Sequence, residues 1–166
     1  LQKNFVVFIK KIMRQNYKKL SVIIPVYNEE KTIEKTIEAV LASPIEMEKE
    51  IVIIDDGSTD NTRHILNTLS AQHKVVFLNT NSGKGTALRT GFAQATGDII
   101  LVQDADLEYN PAEYPHLVNP IQEGHADVVY GSRFVTVHPR RVLYFHHYMA
   151  NKLVTFLSNL FTGLNL

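Results

Sequence analysis

Four short apolar runs punctuate the chain: Leu20–Pro25 (LSVIIP), Ile51–Ile54 (IVII), Val75–Leu78 (VVFL) and Ile99–Val102 (IILV). Each is continuous rather than alternating, as expected of strands buried on both faces of a parallel sheet. A fifth run, Asp127–Gly131 (DVVYG), is shorter. Between the runs the apolar period becomes helical. Ile33, Ile37, Val40 and Leu41 fall at i, i+4, i+7 and i+8. Ile65, Leu66 and Leu69 follow Ser58, Thr59, Asp60 and Asn61, all good helix caps. Leu88, Phe92 and Ala95 share a face after the Gly83–Gly85 turn. Asn110 and Pro111 open a further helical stretch to about Gln122. This alternation predicts βαβ units, right-handed crossovers and a mainly parallel α/β sheet.

The ends of the chain read differently. Leu1, Phe5, Phe8, Ile9, Ile12 and Met13 form a stripe opposite lysines, which predicts a basic amphipathic helix over 1–19. Phe145, Met149, Leu153, Phe156, Leu157, Leu160, Phe161 and Leu164 form a second, wider stripe within 136–166. Residues 20–135 form the α/β body between them. The two stripes fit helices packed on a core, or helices lying on an anionic membrane surface. Charge bears on that choice. All 17 acids lie between Glu29 and Asp127, whereas residues 1–20 carry six bases and 136–166 three, with no acid in either. Basic ends around an acidic body suit an anionic surface or substrate. No apolar run reaches the ~18–20 residues of a membrane span. The chain opens on Leu1 and its last apolar stripe runs on to Leu166, so it is expected to be part of a longer protein. Cysteine is absent, which excludes disulfides and thiolate metal sites.

Three polar clusters follow strands: YNEE at 27–30, DDGSTD at 55–60 and DADLE at 104–108. All fall at carboxyl ends, where open α/β sheets bind ligands. If the chain stays extended, alternation brings Asp104, Asp106 and Glu108 to one side. Hard oxygens so spaced suit Mg²⁺ or Mn²⁺ held with a diphosphate; a solvated acidic loop is the plainer alternative. Asp55 or Asp56 can accept from a nucleobase or ribose, or the same segment can simply cap a helix. Lys84 lies in a Gly-Lys-Gly turn that fails as a P-loop, because Leu78 and Gly85 stand where Gly and Ser or Thr are needed. It can touch phosphate or a base edge, or be an exposed turn lysine. Arg133, in YGSRF, is a candidate phosphate clamp, and Arg140 and Arg141 offer a second anion site.

Taken in order, SVIIPVYNEEKTIEKTI, IVIIDDGSTDNT, GKGTALRTGFAQATGDIILVQDADLEYNP and DVVYGSRF resemble family 2 glycosyltransferases of GT-A fold, nearest to the dolichyl-phosphate mannose or glucose synthase type. The resemblance implies that Pro25, Tyr27 and Glu29 contact the nucleotide. It implies that Ile54 and Asp56 hold base and ribose, with Asp55 beside them. Asp104 and Ala105 would contact the sugar nucleotide, Asp106 would be the main metal ligand and Glu108 its assistant. Glu108 is itself a departure, since many relatives carry Gln there. Arg133 would stabilise the departing diphosphate, and Arg140 or Arg141 would meet the acceptor phosphate. The implied reaction is inverting, Mg²⁺- or Mn²⁺-dependent transfer of a hexose from a GDP- or UDP-sugar to a polyprenyl phosphate. Its implied place is the cytoplasmic face of a membrane, and no nucleic-acid partner is expected. Such a phosphate is ionised near pH 7 and demands no strong general base. A glycan or other hydroxyl acceptor is the alternative. Further readings are an aspartate-nucleophile phosphatase, which also places Asp-x-Asp after an apolar strand, and an inactive fragment.

Overall fold

The computed structural model describes residues 5–9, 17–131 and 145–162. They divide into a unit spanning Phe5–Tyr130 and another that includes Gly131 onward. The first unit holds strands β1 (Phe5–Ile9), β2 (Lys19–Val26), β3 (Glu48–Asp55), β4 (Lys74–Phe77) and β5 (Ile99–Val102). A two-residue strand, β6 (Tyr130–Gly131), stands at the boundary. Helices α1 (Ile33–Leu41), α2 (Thr62–Leu69), α3 (Lys84–Gln94) and α4 (Tyr114–Gln122) connect the strands, with a 3-10 turn at Pro111–Glu113.

Strand order is β4-β3-β2-β5-β1-β6. β2 pairs in parallel with β3 from Lys19↔Glu48 to Val26↔Asp55, and with β5 from Leu20↔Ile99 to Ile23↔Val102. The chain therefore steps outward through β3 and β4, then returns by α3 to the other side of β2. The reversal leaves a switch point between the carboxyl ends of β2 and β5. Pro25 is tolerated in this central strand for a local reason. The carbonyl of Ile23 accepts from Gln103 N on the β5 side, and pairing there ends at Ile23–Val102. Pro25, two residues on, faces the same side with no ladder bond to lose.

The sheet is covered on both faces. Ile33, Ile37 and Val40 of α1, Leu66 of α2 and Val118 and Ile121 of α4 join Val22, Ile24 and Ile53 in one buried cluster. Ala87 of α3, with Leu88 and Phe92 packed against it, joins Ile23, Val52 and Ile54 in the other. Each such aliphatic side chain contributes about 1.5–3 kcal/mol by leaving water.

Two sequence expectations need correction here. The helical stripe over 1–19 fails at its centre: Phe5–Ile9 (FVVFI) is a strand, antiparallel to β5 through Val7↔Leu101, Phe8↔Ile100 and Ile9↔Ile99. Aromatic and β-branched residues favour a strand, and β5 offered an open edge to pair with. The fifth apolar run shortens to Tyr130–Gly131. In the second unit, helix α5 (Phe145–Thr162) carries the stripe from Phe145 to Phe161, while Leu164 and residues 136–144 lie outside the described residues. Met149, Leu153, Val154, Phe156, Leu157 and Leu160 are exposed on it. No described helix is long and apolar enough to cross a membrane.

Candidate active site

Loops after β2, β3 and β5 meet at the carboxyl edge of the sheet, and the first two are laced together. Asn28 adopts a left-handed backbone, φ 55°, which Asn tolerates better than most residues. Its Oδ1 accepts from Thr59 N at 2.8 Å, and its own amide donates to Ser58 Oγ at 2.9 Å. Glu29 N donates to Thr62 Oγ1 at 2.9 Å, and the Glu29 carboxylate accepts from the Thr32 hydroxyl beside α1. Asp60 accepts from Thr62 N and Glu30 N, and Glu30 accepts from Asn61 N. Tyr27 is left exposed on the rim, with Pro25 half-buried behind it.

The DDGS segment is spent on construction. Asp55 is fully buried; Oδ1 accepts from Ser58 N at 3.1 Å. Oδ2 has no aligned hydrogen-bond donor, so attraction to Arg63 Nε at 3.0 Å is what compensates its burial. Arg63 also donates to the Leu78 carbonyl and lies 5.3 Å over the Phe77 ring. Asp56, 4% exposed, accepts from Ser82 N at 2.9 Å and Gly83 N at 2.8 Å. It thereby ties the end of β3 to the start of α3. Gly57 between them has φ +73°, and a Cβ there would meet Asn81 N at 2.6 Å. Only glycine fits that turn. Ile54 lies wholly in the core under α3. Neither Ile54 nor Asp55 is presented to the crevice.

The DADLE segment does not stay extended, and that expectation is corrected. After Asp104 the chain turns, and Leu107 takes φ +58°, a strained conformation for an apolar side chain. Asp106 Oδ1 accepts from Glu108 N at 3.1 Å across the turn. Asp106 is half-buried, Glu108 exposed and Ala105 buried. Lys84, the first residue of α3, crosses the switch point and pairs with Asp104 Oδ1 at 2.5 Å. That bond brings together two residues singled out from separate motifs.

The turn is also held from below, by residues the sequence reading passed over. Gln103 is fully buried; Nε2 donates to the Asp104 carbonyl at 2.9 Å and the Tyr109 carbonyl at 3.3 Å. Tyr114 Oη donates to Gln103 Oε1 at 2.8 Å. Burial pushes the Tyr114 phenol far above its ordinary pKa, so it remains a donor. Thr36 Oγ1 of α1 donates to the Ala105 carbonyl at 3.0 Å. The signal available in the sequence was a lone amide at the end of IILV. Arg133, Arg140 and Arg141 lie outside the described residues. Among the described residues, no three His, Asp or Glu side chains gather into a metal cage.

Comparison with known proteins fits this geometry. Over 117 residues the chain is 41% identical to an undecaprenyl-phosphate 4-deoxy-4-formamido-L-arabinose transferase of Proteus mirabilis (strain HI4320), covering 67% of this chain and 36% of that protein. A protein of the same name from Shewanella sediminis (strain HAW-EB3) is 41% identical over 120 residues, covering 69% and 36%. The chain thus spans about a third of the length of these curated relatives. Among solved structures, S. aureus TarS 1–349 in complex with UDP-GlcNAc superposes with TM-score 0.56 and 34% identity, covering 66% of this chain and 32% of that one. Glucosyl-3-phosphoglycerate synthase from Mycobacterium tuberculosis, with Mn²⁺, UDP and glucosyl-3-phosphoglycerate, gives TM-score 0.52 and 31% identity, covering 63% and 40%. Residues 21–163 match Glycosyl transferase family 2. The chain belongs to that family, and its α/β fold is the GT-A fold.

Proposed function

We propose that this chain is the donor-binding part of an inverting, metal-dependent glycosyltransferase that moves a hexose from a nucleotide-diphosphate sugar to a polyprenyl phosphate. One observation carries the reading: the acidic turn after β5 and Lys84 of α3 meet at the β2/β5 switch point. Family membership displaces the phosphatase reading.

The donor set suits the metal. Mg²⁺ needs one or two protein carboxylates and completes its shell from phosphate and water, so a full protein cage is not required. Asp104 and Asp106 offer hard oxygens from one turn, with no thiolate or imidazole beside them in the sequence. Asp106 would hold Mg²⁺ or Mn²⁺, with Glu108 as a second ligand. When bound, the cation neutralises the diphosphate leaving group.

The chain's own side chains do the rest. Asp104 and Ala105 position the donor, and Lys84 exchanges its pairing with Asp104 for a diphosphate oxygen. Tyr27, Pro25 and Glu29 line the nucleotide rim, and Asp56, at the end of β3, takes base or ribose, with Asp55 and Ile54 buried behind it. Arg133 takes phosphate charge, and Arg140 or Arg141 meets the acceptor. The exposed apolar side chains of α5 suit a membrane surface, where a polyprenyl phosphate resides. Two relatives named for undecaprenyl phosphate support that acceptor. A hydroxyl or soluble phosphorylated acceptor is the second reading, favoured by the neighbour named for 3-phosphoglycerate.

Titration calorimetry with UDP and GDP, with and without Mn²⁺, tests the donor site. One nucleotide should bind in Mn²⁺, and Asp106→Asn should weaken it at least about tenfold. Unchanged affinity in Asp106→Asn would sink the metal assignment. Labelled sugar passing to a water-soluble acceptor, with none to polyprenyl phosphate, would favour the second reading.

A further inference from the structure

We infer that Gln103 and Tyr114 are positioning residues for donor binding, clamping the turn that presents Asp104 and Asp106 without touching the ligand. The inference rests on the proposed donor site at that turn.

The clamp follows from donor and acceptor inventory. A glutamine amide has two N–H donors and one carbonyl oxygen. Two main-chain carbonyls, of Asp104 and Tyr109, face one end of the Gln103 amide. Carbonyls only accept, so they fix the NH₂ on that side and the oxygen toward Tyr114. Both N–H groups and the oxygen are then satisfied, as a fully buried amide requires. The Gln103 main chain is fixed as well, its N–H donating to Ile23 O at 2.9 Å in the sheet.

The bonds have a directional consequence. Asp104 begins the acidic turn and Tyr109 ends it, so one rigid amide closes the loop across its mouth. Inside that loop lie Asp106, Glu108 and Leu107 with φ +58°. A left-handed apolar residue persists only where its surroundings over-determine it. The amide below and the Thr36 hydroxyl on the Ala105 carbonyl supply those surroundings. An apolar side chain at 103 would fill the same core position but leave the turn free to relax. The carboxylates would then lose their preorganised placement against a metal-bound diphosphate.

The test uses the full chain and two substitutions. Gln103→Glu keeps an acceptor for Tyr114 but sets an oxygen against two carbonyls. Tyr114→Phe removes only the hydroxyl. Calorimetry should show Mn²⁺-dependent UDP or GDP affinity weakened about tenfold in the first and less in the second. Metal-free nucleotide affinity should change little. Amide hydrogen exchange without ligand should rise at 105–109 relative to β2 and β3. Lower thermal stability with unchanged affinity and unchanged exchange at 105–109 would overturn the inference and leave a purely structural pair. Should Gln103→Glu fail to fold, Tyr114→Phe and Gln103→Met decide on the same readouts. If the wild-type chain binds no nucleotide in Mn²⁺, the proposed function fails instead. The exchange comparison then still decides the clamp.

Discussion

Two pairs of aspartates stand at strand ends on opposite sides of β2, and they are used in opposite ways. Asp55 and Asp56, ending β3, turn inward and accept from Ser58 N, Ser82 N and Gly83 N, with Arg63 paired to the first. Asp104 and Asp106, after β5, stand at the crevice with Lys84 and the Glu108 amide as partners. The difference lies in what surrounds them. Gly57 folds the chain back with φ +73°, so backbone N–H groups reach the first pair. The second pair has bulkier Leu107 at its turn and a buried amide beneath it. An acidic cluster beside glycine and small polar residues closes on itself; the other stands at the crevice over a buried amide.

The sharpest way to break this contrast is to remove one carboxylate from each pair. Asp56→Ala takes the carboxylate acceptor away from the N–H groups of Ser82 and Gly83, and should cost about 2 kcal/mol. Asp106→Asn retains an oxygen for the Glu108 amide and should cost less, under about 1 kcal/mol. Urea midpoints of the two variants, without ligand, make the comparison. Equal losses would mean that both pairs serve the fold, and the division of roles would be wrong.

This division was only partly legible in the sequence. Continuous apolar runs located the parallel strands because burial on both faces leaves no alternation to misread; Ile99–Val102 matches end to end. β2 gains only Lys19 at its amino end, whereas β3 begins at Glu48, Lys49 and Glu50, ahead of the apolar run Ile51–Ile54. Those residues are polar, so no apolar signal marked them. FVVFI has aromatic residues at helical spacing, and only the open edge of β5, distant in sequence, makes it a strand. The DADLE turn was hidden because nothing local announces a left-handed leucine. Nor does anything local announce the partners of Asp55 and Asp56, because Arg63, Ser82 and Gly83 are brought to them by tertiary packing.

Lys84 sharpens the comparison from the second pair's side. Its side chain is half exposed, so the pair with Asp104 contributes under about 1 kcal/mol to stability. If Lys84 serves the ligand, Lys84→Met should leave the urea midpoint nearly unchanged. Nucleotide affinity in Mn²⁺ should fall about fivefold, more steeply at low salt, where charge attraction is least screened. A rise in affinity would show instead that Lys84 only competes with the ligand for Asp104.

The smallest effect belongs to a carboxylate at the opposite, amino edge of the sheet. Glu50 accepts from the Ser21 hydroxyl, from Thr96 N at 2.8 Å and from Thr96 Oγ1 at 2.9 Å, with Lys19 Nζ at 3.7 Å. Burial alone would raise its pKa, but these donors and the lysine outweigh it and hold the carboxyl below the usual range. A carboxyl whose folded pKa is depressed stabilises the fold fully above its unfolded value, about 4.3, and loses that contribution as pH falls through the folded value. Glu50→Gln should therefore be less stable than wild type at pH 7, by under about 1 kcal/mol. The gap should narrow as pH falls below about 4.3 and the wild-type carboxyl protonates. Urea titrations across that range measure it, and Mn²⁺ with nucleotide should leave the narrowing unaltered. A gap that stayed constant with pH would remove charge from the account of Glu50.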